Sequence, residues 1–478
     1  MKRIVFSLLI GCATLCLNAQ TTTDYKKMSA HQLNELADAY TSGDSLPQDL
    51  NKAAMLYRLS AEKGDSLSMY NLGVCYENAE GVKKNLTEAF KWYHKGAIAG
   101  EPAAMRAVGK CYAQGIGVKQ DTVQAIQWLK RSAEAGDAQG QHLYANFLLQ
   151  GKFTTQNLSE AEKWYKKAGE QGYSRAYIAL ASAYIYEVIG NDKAKGLKLL
   201  QETADSGSLL ALERLGDLYR KGDALPQNLT KAADYYRQAA EKGHPSSMTM
   251  LGEMLLYGEG VQENETEAVE WFRKAVDADE SEAFSNLGQA YLYGYGVEED
   301  NDKAFEYLSQ AVEKGSTTAL GHLALCYHDG YGTKADFKKA FLYASQSEKE
   351  GYVLGSYLLG NMYSDGHGTK ANTEKGFEYF LVAAENDYIR ALYPVAVAYL
   401  EGKGVQQNDT KGVEWLKKAV VKEVPDAQFL LGMLYLAGER GLKQNEKMGL
   451  TLIQAAAKNG HEVATTVLKE IEKTAKRQ

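Results

Sequence analysis

The amino-acid sequence predicts an all-α solenoid of about twelve 36-residue helix-turn-helix repeats followed by a C-terminal capping helix. A Gly or Ala recurs at 36-residue intervals in ten of eleven steps and at 35 residues once. An apolar residue or Tyr always precedes it, and a Tyr follows three residues later in ten of twelve cases. Self-similarity at a fixed period of this length is typical of stacked helical repeats. The small residues stand at positions 37, 73, 109, 145, 181, 216, 252, 288, 324, 360, 396 and 432.

Each repeat encodes two helices, which we call A and B. In the unit 102–137, Pro102 suits a first helical position, and apolar residues then recur at three- and four-residue spacing. Helix B opens at Asp121, a preferred N-cap type, and stops at Gly136, a typical C-terminal glycine. The small residue at Gly109 allows a close helix approach, so the pattern predicts packing rather than chemistry.

The motif Leu287-Gly288-x-x-Tyr291-x-x-Gly294-x-Gly296-Val297, followed by Lys303-Ala304, resembles the Sel1-like repeat. The resemblance covers about residues 30–460. It implies a right-handed superhelix related to tetratricopeptide repeats. It also implies an adaptor role in protein complexes, envelope regulation or host contact. The sequence departs from the motif around residues 187–192, where the unit is one residue shorter and we expect a bend in the superhelix.

The chain begins with a segment typical of a bacterial export signal. Basic Lys2 and Arg3 precede an apolar run to Leu17, and a signal peptidase site follows Ala19. A second interpretation is a lipobox, in which Cys12 is lipidated and becomes the mature N-terminus. We therefore expect a signal peptide over 1–19, a linker over 20–30, the solenoid over 31–460 and a capping helix with a tail over 461–478. The expected location is the periplasm or cell envelope, with secretion or a lipid anchor as alternatives.

Composition argues against several classes of ligand. The chain has 54 basic and 61 acidic residues, which are interspersed and give a net charge of −7. This balance argues against a nucleic-acid partner. Beyond the leader, no apolar stretch is long enough to span a membrane. Cys75, Cys111 and Cys326 share one helix A register and are predicted to be buried and unpaired. The eight histidines form no metal-binding motif, so we predict neither a metal nor a cofactor.

Two short motifs raise the question of an enzyme. The Gly-x-Gly loops follow helices rather than strands, which argues against a phosphate cradle. Ser60-Ala61-Glu62-Lys63 matches Ser-x-x-Lys, but the Ser-Asp-Asn and Lys-Thr-Gly partners of a β-lactamase are absent. Because cysteine-rich Sel1-like proteins have been described as β-lactamases or penicillin binders, an envelope hydrolase is the alternative. The main prediction is a non-enzymatic protein- or peptide-binding scaffold, and a purely architectural role remains open.

The candidate binding residues lie where the repeat pattern prescribes no residue type. The position three before the small residue holds Tyr357, Tyr393 and Phe429 in three successive repeats, and Asn361 lies one turn after Tyr357. We predict that these four side chains line a groove for a peptide, with the rings supplying area and Asn361 bonding backbone amides. Pro394 lies beside them inside helix A and is expected to kink it. The alternative is that the rings pack between repeats.

Overall fold

A computed structural model describes residues 25–151, 155–190 and 192–475, with side chains described up to residue 471. These residues form 25 α-helices, and no strand occurs among them. The predicted all-helical repeat fold with its C-terminal helix is therefore confirmed. The predicted signal peptide, including Cys12, lies outside the described residues.

Two series of helices alternate along the chain, one A and one B helix per repeat. The A helices are α1 (Ala30–Ser42), α3 (Ser66–Asn78), α5 (Pro102–Gln114), α7 (Ala138–Gln150), α9 (Ser174–Ile185), α11 (Leu209–Lys221), α13 (Pro245–Tyr257), α15 (Ser281–Tyr293), α17 (Ala319–Asp329), α19 (Val353–Asp365), α21 (Ile389–Glu401) and α23 (Pro425–Ala437). The B helices are α2 (Leu50–Glu62), α4 (Leu86–Ile98), α6 (Thr122–Glu134), α8 (Leu158–Glu170), α10 (Lys193–Asp205), α12 (Leu229–Glu241), α14 (Glu265–Asp277), α16 (Asn301–Glu313), α18 (Phe337–Lys349), α20 (Thr373–Glu385), α22 (Asp409–Val421) and α24 (Glu446–Lys458). The last helix is α25 (Glu462–Ala475).

The chain forms two compact units, Met1–Pro226 and Gln227–Gln478. In the first unit, each helix packs against the next, and α3 also contacts α5, α5 contacts α7, and α9 contacts α11. In the second unit, α13, α15, α17 and α19 contact one another in the same successive way. Within each unit, A helices of neighbouring repeats therefore contact each other in addition to packing against their B helices.

Every B helix begins at an Asp or Asn whose side chain accepts a hydrogen bond from a backbone N–H of the first turn. Such a cap satisfies an amide that has no partner within the helix and contributes about 1 kcal/mol. The predicted N-cap Asp121 is confirmed. The complete set is Asp49, Asn85, Asp121, Asn157, Asp192, Asn228, Asn264, Asp300, Asp336, Asn372, Asn408 and Asn445.

The recurring small residue sets the distance between the two helices of a repeat. A Cβ atom added at Gly360 would lie 2.5 Å from the ring of Phe380, twenty residues later on the B helix. The same separation gives 2.5 Å between Gly252 and Phe272. Because real Cβ contacts are longer than this, the glycine lets a bulky B-helix residue fit against the A-helix backbone. The expected close helix approach is confirmed.

The Tyr that follows the small residue joins neighbouring repeats. Tyr327 meets Phe305 of the preceding repeat edge-on, with ring centroids 5.3 Å apart. It also stacks on Tyr343 of its own repeat at 5.8 Å and 9° between planes. Lys339 lies over the Tyr327 ring, 4.9 Å from its centroid. One ring thus contacts two repeats through geometries that aromatic pairs favour, with a cation–π contact in addition.

The second glycine of the Gly-x-Gly loop lies against the preceding repeat. Gly296 has φ +65°, and a Cβ there would lie 2.3 Å from the carbonyl oxygen of Glu265, at the start of the preceding B helix. The Gly296 amide also donates to the Glu265 carboxylate at 2.9 Å. The same close approach of loop to helix recurs at Gly81, Gly117, Gly260, Gly332, Gly368 and Gly404. The loop motif therefore has a packing role between repeats.

Two positions depart from this regular scheme. At Gly190, in the shortened repeat, a Cβ would meet no atom within 4 Å, so this loop lacks the contact made by Gly296. Pro394 lies inside α21, which is one continuous helix from Ile389 to Glu401. The proline removes one backbone donor from the helix without ending it.

We expect Gly296→Ala to destabilise the protein more than Gly315→Ala. Both glycines have positive φ, so both alanines carry conformational strain, but a Cβ at Gly315 would meet nothing within 4 Å. The clash at Gly296 should lower the free energy of unfolding by a further amount of about 1–3 kcal/mol. Urea unfolding followed by circular dichroism measures the difference. Equal losses in the two variants would contradict a packing role for the loop.

Candidate binding surface

The four predicted binding residues lie on A helices of the second unit and are all half-buried. The Tyr357 ring centroid is 5.9 Å from that of Phe380 and 5.1 Å from that of Tyr388. Tyr393 packs against the same hydrophobic cluster. Phe429 instead packs with Ile453, Ala456 and Ala464 and stacks on His461 at 4.5 Å. The structure thus brings Tyr357 and Tyr393 into one cluster and Phe429 into another, and each ring has both packed and accessible area.

A second group of rings extends from Tyr357 towards earlier repeats. Tyr293, the last residue of α15, lies 5.6 Å from Tyr295 and 5.9 Å from His322 between ring centroids. After burial, the largest influences on the pKa of Tyr293 are the phenol of Tyr388, which raises it, and Arg390, which lowers it. Tyr388 in turn contacts Tyr357 at 5.1 Å. We call Tyr293, Tyr295, His322, Tyr357 and Tyr388 the inner aromatic cluster.

The polar groups of this cluster favour their neutral forms. Burial is the main cause that raises the pKa of Tyr293 to about 12. Burial likewise lowers the pKa of His322 to about 4, because the charged imidazolium is poorly solvated there. A hydrogen bond between the His322 ring and the Thr318 backbone opposes this effect but is outweighed by burial.

The edge of the cluster is open to solvent. Tyr295 is 36% exposed, and Tyr257, whose phenol is near that of Tyr295, is 62% exposed. Arg390, beside Tyr388 at the start of α21, is also exposed. The arrangement therefore offers apolar ring faces, phenol hydroxyls and one cation along the A helices of the second unit.

Sequence reasoning missed Tyr293, Tyr295, His322 and Tyr388. Tyr293 and Tyr295 flank the first glycine of a Gly-x-Gly loop, and Tyr388 precedes helix α21, so both places were interpreted as helix boundaries. Tyr293 and His322 belong to successive repeats, and a single-repeat pattern contains no information about contacts between repeats. The sequence does contain one signal for this cluster, which is the occurrence of Tyr at loop positions where packing prescribes no residue type.

The residues of the Ser-x-x-Lys motif have structural partners. Ser60 is fully buried, and its hydroxyl donates to the Ala30 carbonyl at 2.7 Å. Ser68 Oγ lies 2.8 Å from Ser60 Oγ. The Lys63 ammonium donates to the Lys26 carbonyl at 2.9 Å. The geometry thus assigns Ser60 to helix packing and Lys63 to the N-terminal segment.

The cysteines and the tryptophans contribute to the core. Cys75, Cys111 and Cys326 are free and buried, as predicted, and burial raises the pKa of Cys326 to about 12. No group of three or more His, Cys, Asp or Glu suited to a metal ion occurs in the described part of the chain. Each helix B Trp carries a basic side chain three residues later over its ring, at 3.8–4.4 Å from the centroid. The pairs are Trp92 with Lys95, Trp128 with Arg131, Trp164 with Lys167, Trp271 with Lys274, and Trp415 with Lys418.

Pairs of helices that recur along the chain define a helical repeat protein. The Sel1 repeat model matches twelve segments that together span most of the chain, and the chain belongs to this family. The segments are residues 33–65, 66–101, 102–137, 138–173, 174–208, 209–244, 245–280, 281–316, 318–352, 353–388, 389–420 and 425–461. No curated protein matches the chain.

Several solved structures are similar. One is c5321, a protective antigen of uropathogenic Escherichia coli strains with an SLR fold, which is 26% identical, covers 94% of this chain and 97% of its own, and has a TM-score of 0.53. A Sel1 repeat protein from Oxalobacter formigenes is 26% identical over 65% of this chain and 89% of its own, with a TM-score of 0.42. Among the residues that the structure describes, no helix is long and apolar enough to cross a membrane.

We expect His322 to contribute to acid sensitivity. Its pKa is about 4 in the folded protein and about 6.5 when unfolded, so the unfolded chain binds more protons between these values. Stability should therefore fall as the pH drops from about 6.5 to about 4. His322→Gln should reduce that fall, as measured by urea unfolding across this range, whereas His31→Gln, at an exposed site, is the control. An unchanged pH dependence in His322→Gln would contradict the assignment.

Proposed function

We propose that this protein is a non-enzymatic scaffold of the bacterial cell envelope and that the inner aromatic cluster binds an extended segment of a partner protein. The observation that carries the proposal is the cluster of packed rings around Tyr293, which opens to solvent at Tyr295. Rings that are already held by packing lose little conformational freedom on binding, which favours affinity. The family supports a scaffold role, since Sel1 repeat proteins are generally non-enzymatic.

The chemistry of the cluster suits a peptide. The faces of Tyr293 and Tyr295 complement an apolar side chain. Exposed Arg390 suits a carboxylate or a backbone carbonyl of the same segment. Tyr357 extends this surface towards later repeats. It is one of the four residues predicted from the sequence to line a groove, which we call the stripe: Tyr357, Asn361, Tyr393 and Phe429.

Two observations support the location in the envelope. Residues 1–19 have the composition of an export signal, with basic residues before an apolar run. The similar E. coli structure is that of a protective antigen, which is a property of that protein and consistent with an exposed location here. Lipidation at Cys12 is the alternative form of attachment. Fractionation of cells, with metabolic labelling by a palmitate analogue, distinguishes a free from an anchored form.

The binding prediction concerns capture of a partner from envelope extract. Tyr295→Ala combined with Arg390→Ala should remove the partner that the wild-type protein captures, because these changes delete ring area and the cation. Lys417→Ala combined with Val421→Ala is the matched control, since it removes one cation and one apolar side chain from the exposed face of α22. Mass spectrometry identifies the captured proteins, and circular dichroism verifies the fold.

A third variant tests the stripe, with Tyr357, Tyr393 and Phe429 all changed to Ala. Loss of the partner in the Tyr295/Arg390 variant, with retention in the Lys417/Val421 control, supports the inner aromatic cluster. If only the variant with Tyr357, Tyr393 and Phe429 changed to Ala loses the partner, the binding site lies nearer the C-terminal repeats. Equal capture by all variants, or no specific partner for the wild type, would contradict the proposed surface.

A further inference from the structure

Two histidines from successive repeats meet outside the inner aromatic cluster. His328 lies in the last turn of α17, and His367 is the middle residue of the Gly366-His367-Gly368 loop that follows α19. His367 Nδ1 is 3.3 Å from His328 Nε2, although 39 residues separate the two along the chain. Because no sequence motif brings them together, the histidines were not predicted to bind a metal.

The second nitrogen of His328 is already engaged. His328 Nδ1 lies 2.5 Å from the Asp329 carboxylate, where it acts as the donor. This tautomer leaves the lone pair of Nε2 free to accept a hydrogen bond from His367 Nδ1–H in the metal-free protein. Metal-binding histidines almost always donate their other N–H to a carboxylate or a carbonyl, which orients the ring and raises its basicity. Asp329 therefore occupies the position of such a supporting carboxylate.

The packing of both rings restricts their movement. Phe337 stacks on His367 with centroids 4.2 Å apart and 12° between planes. It also meets His328 edge-on at 5.5 Å. The loop is fixed as well, because the His367 amide donates to the Met362 carbonyl at 3.0 Å and a Cβ at Gly368 would lie 2.0 Å from the Phe337 carbonyl oxygen. The two nitrogens are thus held close together before any ligand arrives.

The distance between His328 Nε2 and His367 Nδ1 fits a tetrahedral metal ion better than a square-planar one. Two Zn–N bonds of about 2.0–2.1 Å that meet at a tetrahedral angle place their nitrogens about 3.3–3.4 Å apart. Neighbouring nitrogens of a square-planar ion with similar bonds are only about 2.8–3.0 Å apart. The observed 3.3 Å therefore fits tetrahedral zinc.

We propose that His328 Nε2 and His367 Nδ1 bind one Zn²⁺ ion, with Asp329 orienting His328 and water filling the remaining positions. Zinc replaces the hydrogen bond between the two rings, and the His367 proton moves by exchange with water from Nδ1 to Nε2, so that Nδ1 presents its lone pair to the metal. Because α17 and the loop after α19 belong to successive repeats, zinc links those repeats directly. This proposal does not depend on the partner-binding function.

The test uses the full chain, purified without a polyhistidine tag and treated with EDTA, then titrated with ZnCl2 by calorimetry. We expect one zinc per chain at the tightest site. His328→Ala and His367→Ala should each abolish that site, and Asp329→Asn should weaken it by about 10–100-fold, as second-shell changes do. His31→Ala, at an exposed histidine of the first repeat, is the control and should bind like the wild type.

A spectroscopic measurement distinguishes this site from adventitious binding. Co²⁺ at the same site should give the visible absorption of a tetrahedral ion, and His367→Ala should remove it. Circular dichroism without metal verifies that the variants fold. Retention of zinc by both His328→Ala and His367→Ala, or no uptake by the wild-type chain, would overturn the proposal.

Discussion

The structure depends on two close approaches of backbone in each regular repeat. One is the contact of the A-helix small residue with the B helix, as at Gly360 and Phe380. The other is the contact of the loop glycine with the preceding B helix, as at Gly296 and Glu265. The first fixes the pairing of helices within a repeat, and the second fixes the stacking of one repeat on the next. In a solenoid, whose stability is a sum of repeat and interface contributions, these contacts recur along the chain and determine the array.

The same constraint explains where chemically distinctive side chains collect. Packing prescribes the small residue, its apolar predecessor and the following Tyr, but it leaves the middle residue of Gly-x-Gly unspecified. Tyr295 occupies this position in the inner aromatic cluster, and His367 occupies it in the proposed zinc site. A tightly held loop thus presents one variable side chain at a fixed place. Preorganised side chains of this kind are suited to binding, because little entropy is lost when a ligand arrives.

The sequence predicted those parts of the structure that repeat with the period of the chain. The cap at Asp121, the close approach at Gly109 and the buried Cys111 follow from local patterns that one 36-residue unit contains. Contacts between units are different. Tyr293 and His322 come together through the stacking of two successive repeats, and no single motif encodes this geometry. The stripe of Tyr357, Tyr393 and Phe429 was identified by register alone, which could not separate Phe429 from the other two rings.

The shortened repeat shows the effect of losing the regular contacts. A Cβ at Gly190 would meet no atom within 4 Å. Leu199 stands where most B helices have an aromatic residue, so Tyr184 lacks the ring on which Tyr327 stacks. A cavity of about 490 Å³ lies among α8, α9 and α10, with Tyr184 and Leu199 in its wall.

Charged groups partly replace the missing contacts there. Lys195 lies 4.1 Å from the Tyr184 ring centroid and 3.5 Å from Glu162, a carboxylate of the preceding B helix. Lys166 and Lys195 help to hold the pKa of Glu162 at about 2, against the opposing effect of burial. Such partly exposed ion pairs contribute about 0–1 kcal/mol each to the free energy of unfolding. A packed aromatic pair contributes more, because the rings also bury apolar area. Because an array opens most easily at its weakest interface, the first unit should open locally at this repeat before its regular neighbours do.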